Sequence, residues 1–205
     1  MNRTRVAPGL WVPPVFGPRD PRVAGPASPL TTAVTAACFV LLGWHFGWSW
    51  QLPAYLFFAG VGVWLSVIDL RSRLLPNAIV LPALCLGALL LAAASAAGSA
   101  WGPLVRAGLG SLVLFGLYLA LALVSPAGMG MGDVKLAAVV GLFLAYQGWQ
   151  TLAVGTFAGF LIGALAGAAV LAVRRGGLKS TIPFGPPMIA GALAAILLAG
   201  PAAGF

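Results

Sequence analysis

Only three side chains in the sequence carry a negative charge, Asp20, Asp69 and Asp133, and there is no glutamate. Two of them stand at the edges of apolar runs. Asp69 closes one in Ser66-Val67-Ile68-Asp69-Leu70-Arg71-Ser72-Arg73, and Asp133 opens another in Gly130-Met131-Gly132-Asp133-Val134-Lys135. A carboxylate near hydrocarbon costs about 2.5–3.5 kcal/mol at a helix centre on insertion scales, and less near an interface. Two such residues need a reason. Paired carboxylates suit general acid–base work on water. Two close carboxyls cannot both ionise, so one takes a proton from water while the other, protonated, hydrogen-bonds to a scissile carbonyl. Gly130 and Gly132 fit that chemistry, because glycine lets the backbone bend and an extended substrate come close. Two other readings stand beside it. Each aspartate could form an ion pair at the membrane surface, Asp69 with Arg71 or Arg73 and Asp133 with Lys135. Proton-coupled transporters also place aspartates at such positions. Asp20 reads as a solvated surface charge.

The elements that must position these residues follow from composition. Of 205 residues, 61% are hydrophobic and 7% charged, against about a quarter charged in a soluble domain. That excludes an ordinary water-soluble globule, and it excludes disorder, which needs low hydrophobicity. Apolar runs occupy about 31–47, 53–70, 78–97, 104–124, 134–147, 150–173 and 186–204. The predicted fold is therefore all-α, a polytopic integral membrane helix bundle of about seven transmembrane helices, with residues 30–205 as one transmembrane domain. The fifth run is short for a span and opens out of a Gly-rich loop. Residues 1–29 hold seven prolines and four arginines. They have no apolar stretch of the kind a signal peptide carries, and read as a disordered cytoplasmic arm.

Charge sets the orientation. With the N-terminus inside, Arg3, Arg5, Arg19, Arg22, Arg71, Arg73, Lys135, Arg174, Arg175 and Lys179 fall on the inner side and only Arg106 on the outer, a strong positive-inside asymmetry. Trp44, Trp48, Trp50, Trp101 and Trp149 fall at outer ends, where interfacial belts favour the indole ring. Both aspartates then share one depth on the cytoplasmic side, although 64 positions separate them in sequence. The formal charge of +8 lies in short loops, so no contiguous basic face exists for nucleic acid. Cys38 and Cys85, both inside apolar runs, make neither a disulfide framework nor a zinc site and read as small apolar filler. His45 is alone and reads as interfacial. Gly155, Gly159, Gly163 and Gly167 share one helical face, which suits close helix packing.

With these residues in place, a resemblance appears. Gly130-Met131-Gly132-Asp133-Val134-Lys135-Leu136 resembles the GxGD-x-K-L motif of the type IV prepilin peptidases. Asp69, followed by Leu74-Leu75-Pro76-Asn77, is similar to that family's first catalytic segment, with Leu75 where isoleucine is commoner. Ile182-Pro183-Phe184-Gly185-Pro186 resembles its third signature, on the loop before the last helix. The resemblance covers roughly residues 53–205. It implies a multispanning aspartic endopeptidase with Asp69 and Asp133 as the catalytic pair. Gly130, Gly132, Lys135, Pro76, Asn77, Pro183, Phe184 and Gly185 would support them. Lys135 would anchor a helix start in headgroups or tune the pair and hold substrate. Pro183, Gly185 and Pro186 would shape a loop. The implied substrates are type IV prepilin or pseudopilin precursors, cut between a short basic leader and an apolar helix at the cytoplasmic edge of the cell membrane.

Many family members also carry a four-cysteine zinc insert and N-methylate the new N-terminus. This sequence has no CxxC, so the expected form is a short one without that insert, with no methyl transfer, no metal and no cofactor. Membrane lipid is the other expected partner. Presenilin-like proteases share GxGD, but their PAL element follows the second aspartate, whereas Pro82-Ala83-Leu84 precedes Asp133 here. A small proton-coupled transporter and a non-catalytic assembly partner are the rival readings. Inverted repeats would favour the transporter, and none is visible.

Overall fold

Prolines mark where several helices of this chain begin. The computed structural model describes residues 28–73, 75–125, 129–173 and 183–199. Among them the chain forms seven helices and no strand. α1 (Pro29–Phe46) starts at Pro29, whose missing N–H is no loss in a first turn. Before it stands Ser28, whose Oγ accepts from the Thr31 amide at 3.2 Å. α2 (Leu52–Ser72), α4 (Gly102–Val124) and α7 (Gly185–Leu198) carry Pro53, Pro103 and Pro186 in their first turns. α3 (Asn77–Ala97) follows Pro76, and α5 (Met131–Gln147) follows Gly130. Gly148 alone joins α5 to α6 (Trp149–Val173). Asp20, the arm up to residue 27, Ile182, and the basic Arg174, Arg175 and Lys179 lie outside the described residues.

The all-helical bundle agrees with the sequence, but the helices are not alike. α1, α2, α3, α4 and α6 are long and apolar enough to cross a membrane. α5 has 17 residues and α7 has 14, short of the roughly 20 that a hydrocarbon core needs. α5 is buried on every side from Leu136 to Tyr146, as expected of a helix apolar all round. It packs against α4 most extensively, and also against α3, α6 and α7.

Contacts between elements fix the directions. Arg106 of α4 meets Ala145 and Tyr146 of α5, while Ser111 meets Ala138, so α4 and α5 run antiparallel. Gly155, Gly159 and Gly163 of α6 seat Ala195, Met188 and Phe184 in turn, so α7 runs back along α6. Three of the four stripe glycines thus let α7 approach closely. On α3, Asn77, Gly87 and Ser95 meet Lys135, Phe143 and Tyr146, so α3 and α5 run parallel. The C-terminal end of α2 and the N-terminal ends of α3, α5 and α7 therefore gather at one end of the bundle. Trp44, Trp48, Trp50, Trp101 and Trp149 are exposed at the other end. Cys38 packs against the core. Cys85 is exposed on α3 rather than serving as interior filler.

Side chains clamp the carbonyls of α5. Tyr55 Oη donates to Phe143 O at 2.9 Å. Arg106 donates from Nε to Ala145 O at 2.6 Å and from Nη2 to Tyr146 O at 2.7 Å. The Ala145 and Tyr146 carbonyls belong to the last turn, which lacks intrahelical partners and attracts positive charge. Among the described residues Arg106 lies at the end of the bundle away from Lys135, Arg71 and Arg73, and it is a helix cap. Arg106→Ala is expected to lower the unfolding free energy by about 2–4 kcal/mol, because bonds from a charged donor contribute about 1.5–3 kcal/mol each. Arg106→Lys, which keeps the charge but not the fork, is expected to fall between. Denaturation in detergent measures this, and an unchanged midpoint for Arg106→Ala would show the cap to be idle.

The sequence reading implies that α2 and α5 are direct neighbours. Among the described residues they meet through large side chains: Phe58 stacks on Phe143 with ring centroids 4.6 Å apart, and Tyr55 meets the same ring edge-on at 5.6 Å. These rings hold the two backbones apart, and α3 and α7 pack against both helices. A narrow apolar crevice remains between them, lined by Leu65, Leu136, Val139 and Ile189 among others.

Candidate active site

α2 stops just after Asp69. Arg73 adopts a left-handed conformation (φ 53°), and its N–H donates to Asp69 O at 2.8 Å, closing the last turn. The Asp69 side chain turns inward and is 4% exposed. There it meets the start of α7: the Gly185 N–H donates to Asp69 Oδ2 at 2.9 Å. The first N–H groups of a helix have no intrahelical partner and attract anions, so this end of α7 is a natural seat for a carboxylate. Only glycine fits, since a Cβ at position 185 would lie 2.8 Å from Asp69 Oδ2.

Asp133 sits in the first turn of α5 and folds back on it. The Gly130 N–H donates to Asp133 Oδ2 at 3.1 Å, while the Asp133 N–H donates to Gly130 O at 3.0 Å. The aspartate thus caps its own helix. In each carboxyl a backbone N–H holds one oxygen. Both carboxyls stand at the end of the bundle where the end of α2 and the starts of α5 and α7 gather.

The supporting residues converge on the same end. Pro76, buried, sets the start of α3. The next residue, Asn77, accepts from Lys135 Nζ at 2.8 Å through Oδ1. Pro183 and Phe184 are half-buried at the entry to α7, and the Phe184 ring packs against Phe160 at 5.4 Å and Tyr118 at 6.1 Å. Every site residue expected from the sequence lies at this one end.

Three details differ from the sequence reading. Gly130 is at φ −82° and ψ 153°, an extended conformation open to any residue, so backbone bending does not explain it. Gly132 is required by packing: a Cβ there would lie 2.8 Å from Leu75 Cβ. Lys135 donates to Asn77 and so ties the start of α5 to the start of α3, a partner the sequence did not suggest. Sequence reasoning missed two participants. It took Gly185 as a loop-shaper, not as the donor to Asp69. It passed over Tyr118, fully enclosed on α4, whose ring packs against Phe184 beside Gly185. The available signal was its chemistry: a phenol deep in an apolar helix must find a partner. Among the described residues no group of three or more His, Cys, Asp or Glu side chains could hold a metal ion.

Comparison with known proteins gives a consistent pattern. A family model described as the type IV leader peptidase family matches residues 56–172, a stretch holding both Asp69 and Asp133. The chain is 38% identical over 160 residues to a prepilin leader peptidase/N-methyltransferase of Stutzerimonas stutzeri, covering 75% of this chain and 53% of that protein. It is 36% identical over 163 residues to the protein of the same description from Pseudomonas aeruginosa, covering 79% and 55%. With the Bacillus subtilis protein, also so described, the identity is 34% over 172 residues, covering 82% and 65%. The chain spans about half the length of the first two relatives. No solved structure matches it.

Proposed function

Because this chain belongs to the type IV leader peptidase family, we propose that it is an aspartic endopeptidase. Its proposed substrates are type IV prepilin or pseudopilin precursors, cut between the basic leader and the apolar helix. The observation that carries this reading is that Asp69 and Asp133 stand at one end of the bundle, each held by one backbone N–H. Helix ends, not loops, carry both groups, which suits chemistry that tolerates little misplacement.

The chemistry follows from two carboxyls that share a proton. The ionised one takes a proton from water as the water oxygen bonds to the scissile carbonyl carbon. The protonated one gives its proton to the carbonyl oxygen, forming a tetrahedral diol. The C–N bond then breaks with its electron pair on nitrogen. That nitrogen takes the proton held by the first aspartate, and a diol proton returns to the second. Water is the nucleophile, and no covalent intermediate with the enzyme forms. The supporting residues act by position: Gly185 and Gly130 orient the carboxyls, Gly132 lets α5 close on Leu75, and Lys135 with Asn77 locks α3 to α5. Pro183 and Phe184 shape the entry to α7.

The test is direct. The purified chain in liposomes, mixed with a leader-bearing pilin precursor, is expected to release the leader, with the same rate in EDTA, since two carboxylates alone make a poor zinc site. No leader release would reject the peptidase; a loss in EDTA reversed by zinc would reject the metal-free mechanism. The same preparation is expected to transfer no methyl group from S-adenosylmethionine. Family membership removes the ground for the transporter reading.

We place residues 30–205 in the cell membrane as one peptidase domain, with the arm over 1–29 and both aspartates on the cytoplasmic side. The base asymmetry and the tryptophans exposed at the opposite end support that orientation. Reporter fusions at Ser99 and Ser180 are expected to report outside and inside respectively; a shared side would reverse the assignment.

A further inference from the structure

Three tyrosines lie in the bundle, at positions 55, 118 and 146. Two of them have partners: Tyr55 Oη donates to Phe143 O at 2.9 Å, and Tyr146 Oη pairs with Ser95 Oγ at 3.0 Å. Tyr118 is as deeply enclosed as Tyr55, yet its hydroxyl has no hydrogen-bond partner among the described residues. A buried hydroxyl left unpaired destabilises a fold. Phenylalanine would fill the same space without that loss, so packing alone gives no reason for the oxygen.

The surroundings give one. The Tyr118 ring packs on Phe160 and Phe184, with centroids at 5.3 Å and 6.1 Å. Phe184 directly precedes Gly185, the donor to Asp69. The antiparallel register of α4 and α5, in which Arg106 meets Ala145 and Tyr146 and Ser111 meets Ala138, brings Tyr118 level with the first turn of α5, where Asp133 sits, and its hydroxyl makes no hydrogen bond to that carboxylate. An enclosed donor thus stands level with Asp133 and against the residue that precedes Gly185, bonded to neither carboxyl. That relation is expected where a third oxygen belongs between them.

We propose that Tyr118 is a third catalytic residue, whose O–H donates a hydrogen bond to the scissile carbonyl oxygen. The inference rests on the peptidase reading of the aspartate pair. As water attacks, the carbonyl π electrons move onto that oxygen, and the bond from Tyr118 strengthens as the charge grows. The phenol keeps its proton throughout; proton transfer stays with the aspartates. A fixed donor aimed at developing charge speeds the chemical step more than it aids substrate binding.

Tyr118→Phe deletes the oxygen and keeps the ring. It is expected to lower kcat about 10–100-fold with KM little changed, while the melting temperature stays level or rises because an unpaired hydroxyl is gone. Tyr55→Phe is the contrast: it removes a satisfied bond, so it should lower the melting temperature and leave kcat nearly unchanged. Wild-type kcat in Tyr118→Phe overturns the proposal. So does a kcat loss that comes with a melting drop like that of Tyr55→Phe, or failure of the variant to fold, since either makes the hydroxyl a structural group. The wild type and Asp133→Asn run alongside. A wild type that cannot cleave overturns the peptidase reading and this proposal with it, whereas an active wild type with an equally active Tyr118→Phe overturns this proposal alone.

Discussion

Asp69→Asn and Asp133→Asn are each expected to reduce precursor cleavage by at least about 1,000-fold, in line with the loss of a group that moves protons at the reacting centre. The amide keeps the size of the carboxyl. At Asp69 it can still accept from the Gly185 N–H, and at Asp133 from the Gly130 N–H, so each variant should insert and fold. What disappears is the ability to take or give a proton. Because the two groups act as one unit, the double variant should be scarcely worse than either single one. Asp20→Asn should stay near wild type. The wild-type rate should be bell-shaped in pH, since one carboxyl must be ionised and the other protonated, and its limbs would belong to the pair and not to either residue. Leader release from a labelled precursor, followed over pH, measures all of this. Normal processing by either single variant would remove the dyad.

Gly185→Ala carries the second large effect, although position 185 has no side chain to do chemistry. Its added methyl would lie 2.8 Å from Asp69 Oδ2 and 3.3 Å from the carboxyl carbon. Either Asp69 swings away or the start of α7 retreats, and both lengthen the 2.9 Å bond from the Gly185 N–H. A displacement near 1 Å at a reacting group can cost about 100-fold, so a loss of about 10–100-fold in kcat is expected. The rest of α7 remains seated on the α6 glycines, so the melting temperature should fall little. Gly116→Ala, where a Cβ would meet nothing within 4 Å, is the matched control and should leave cleavage unchanged. Equal activity of the two variants would show that Asp69 does not depend on the approach of α7.

The helices were legible in the sequence because lipid imposes the pattern. Seven apolar runs bounded by Gly, Pro and basic residues start within a few positions of the seven helices, since a chain in hydrocarbon must satisfy its backbone internally. Span status was less legible. α7 is as apolar as its neighbours and α5 is apolar from Leu136 onward, and only packing reveals that α5 is enclosed by other helices. Apolar composition does not distinguish lipid from protein as the covering surface.

The candidate site divides the same way. Asp69 and Asp133 could be picked out from sequence alone, because an acid beside hydrocarbon is expensive and this chain has so few. Their shared end followed from counting bases and alternating helices. Their partners could not be read that way. Gly185 reaches Asp69 across 116 positions, and Lys135 reaches Asn77 across 58. No local spacing encodes either meeting. Arg106 looked like an exception to the charge rule until its guanidinium was seen on the carbonyls of α5. Nothing in the sequence set Tyr118 apart until its enclosed hydroxyl was found without a partner. Burial cost and chain direction act on each residue where it stands, so the sequence alone determined the aspartates and their level in the bundle. Hydrogen bonds and steric fit act between residues that only the packing of α2, α4, α5 and α7 brings together, so the tertiary structure decided what surrounds them.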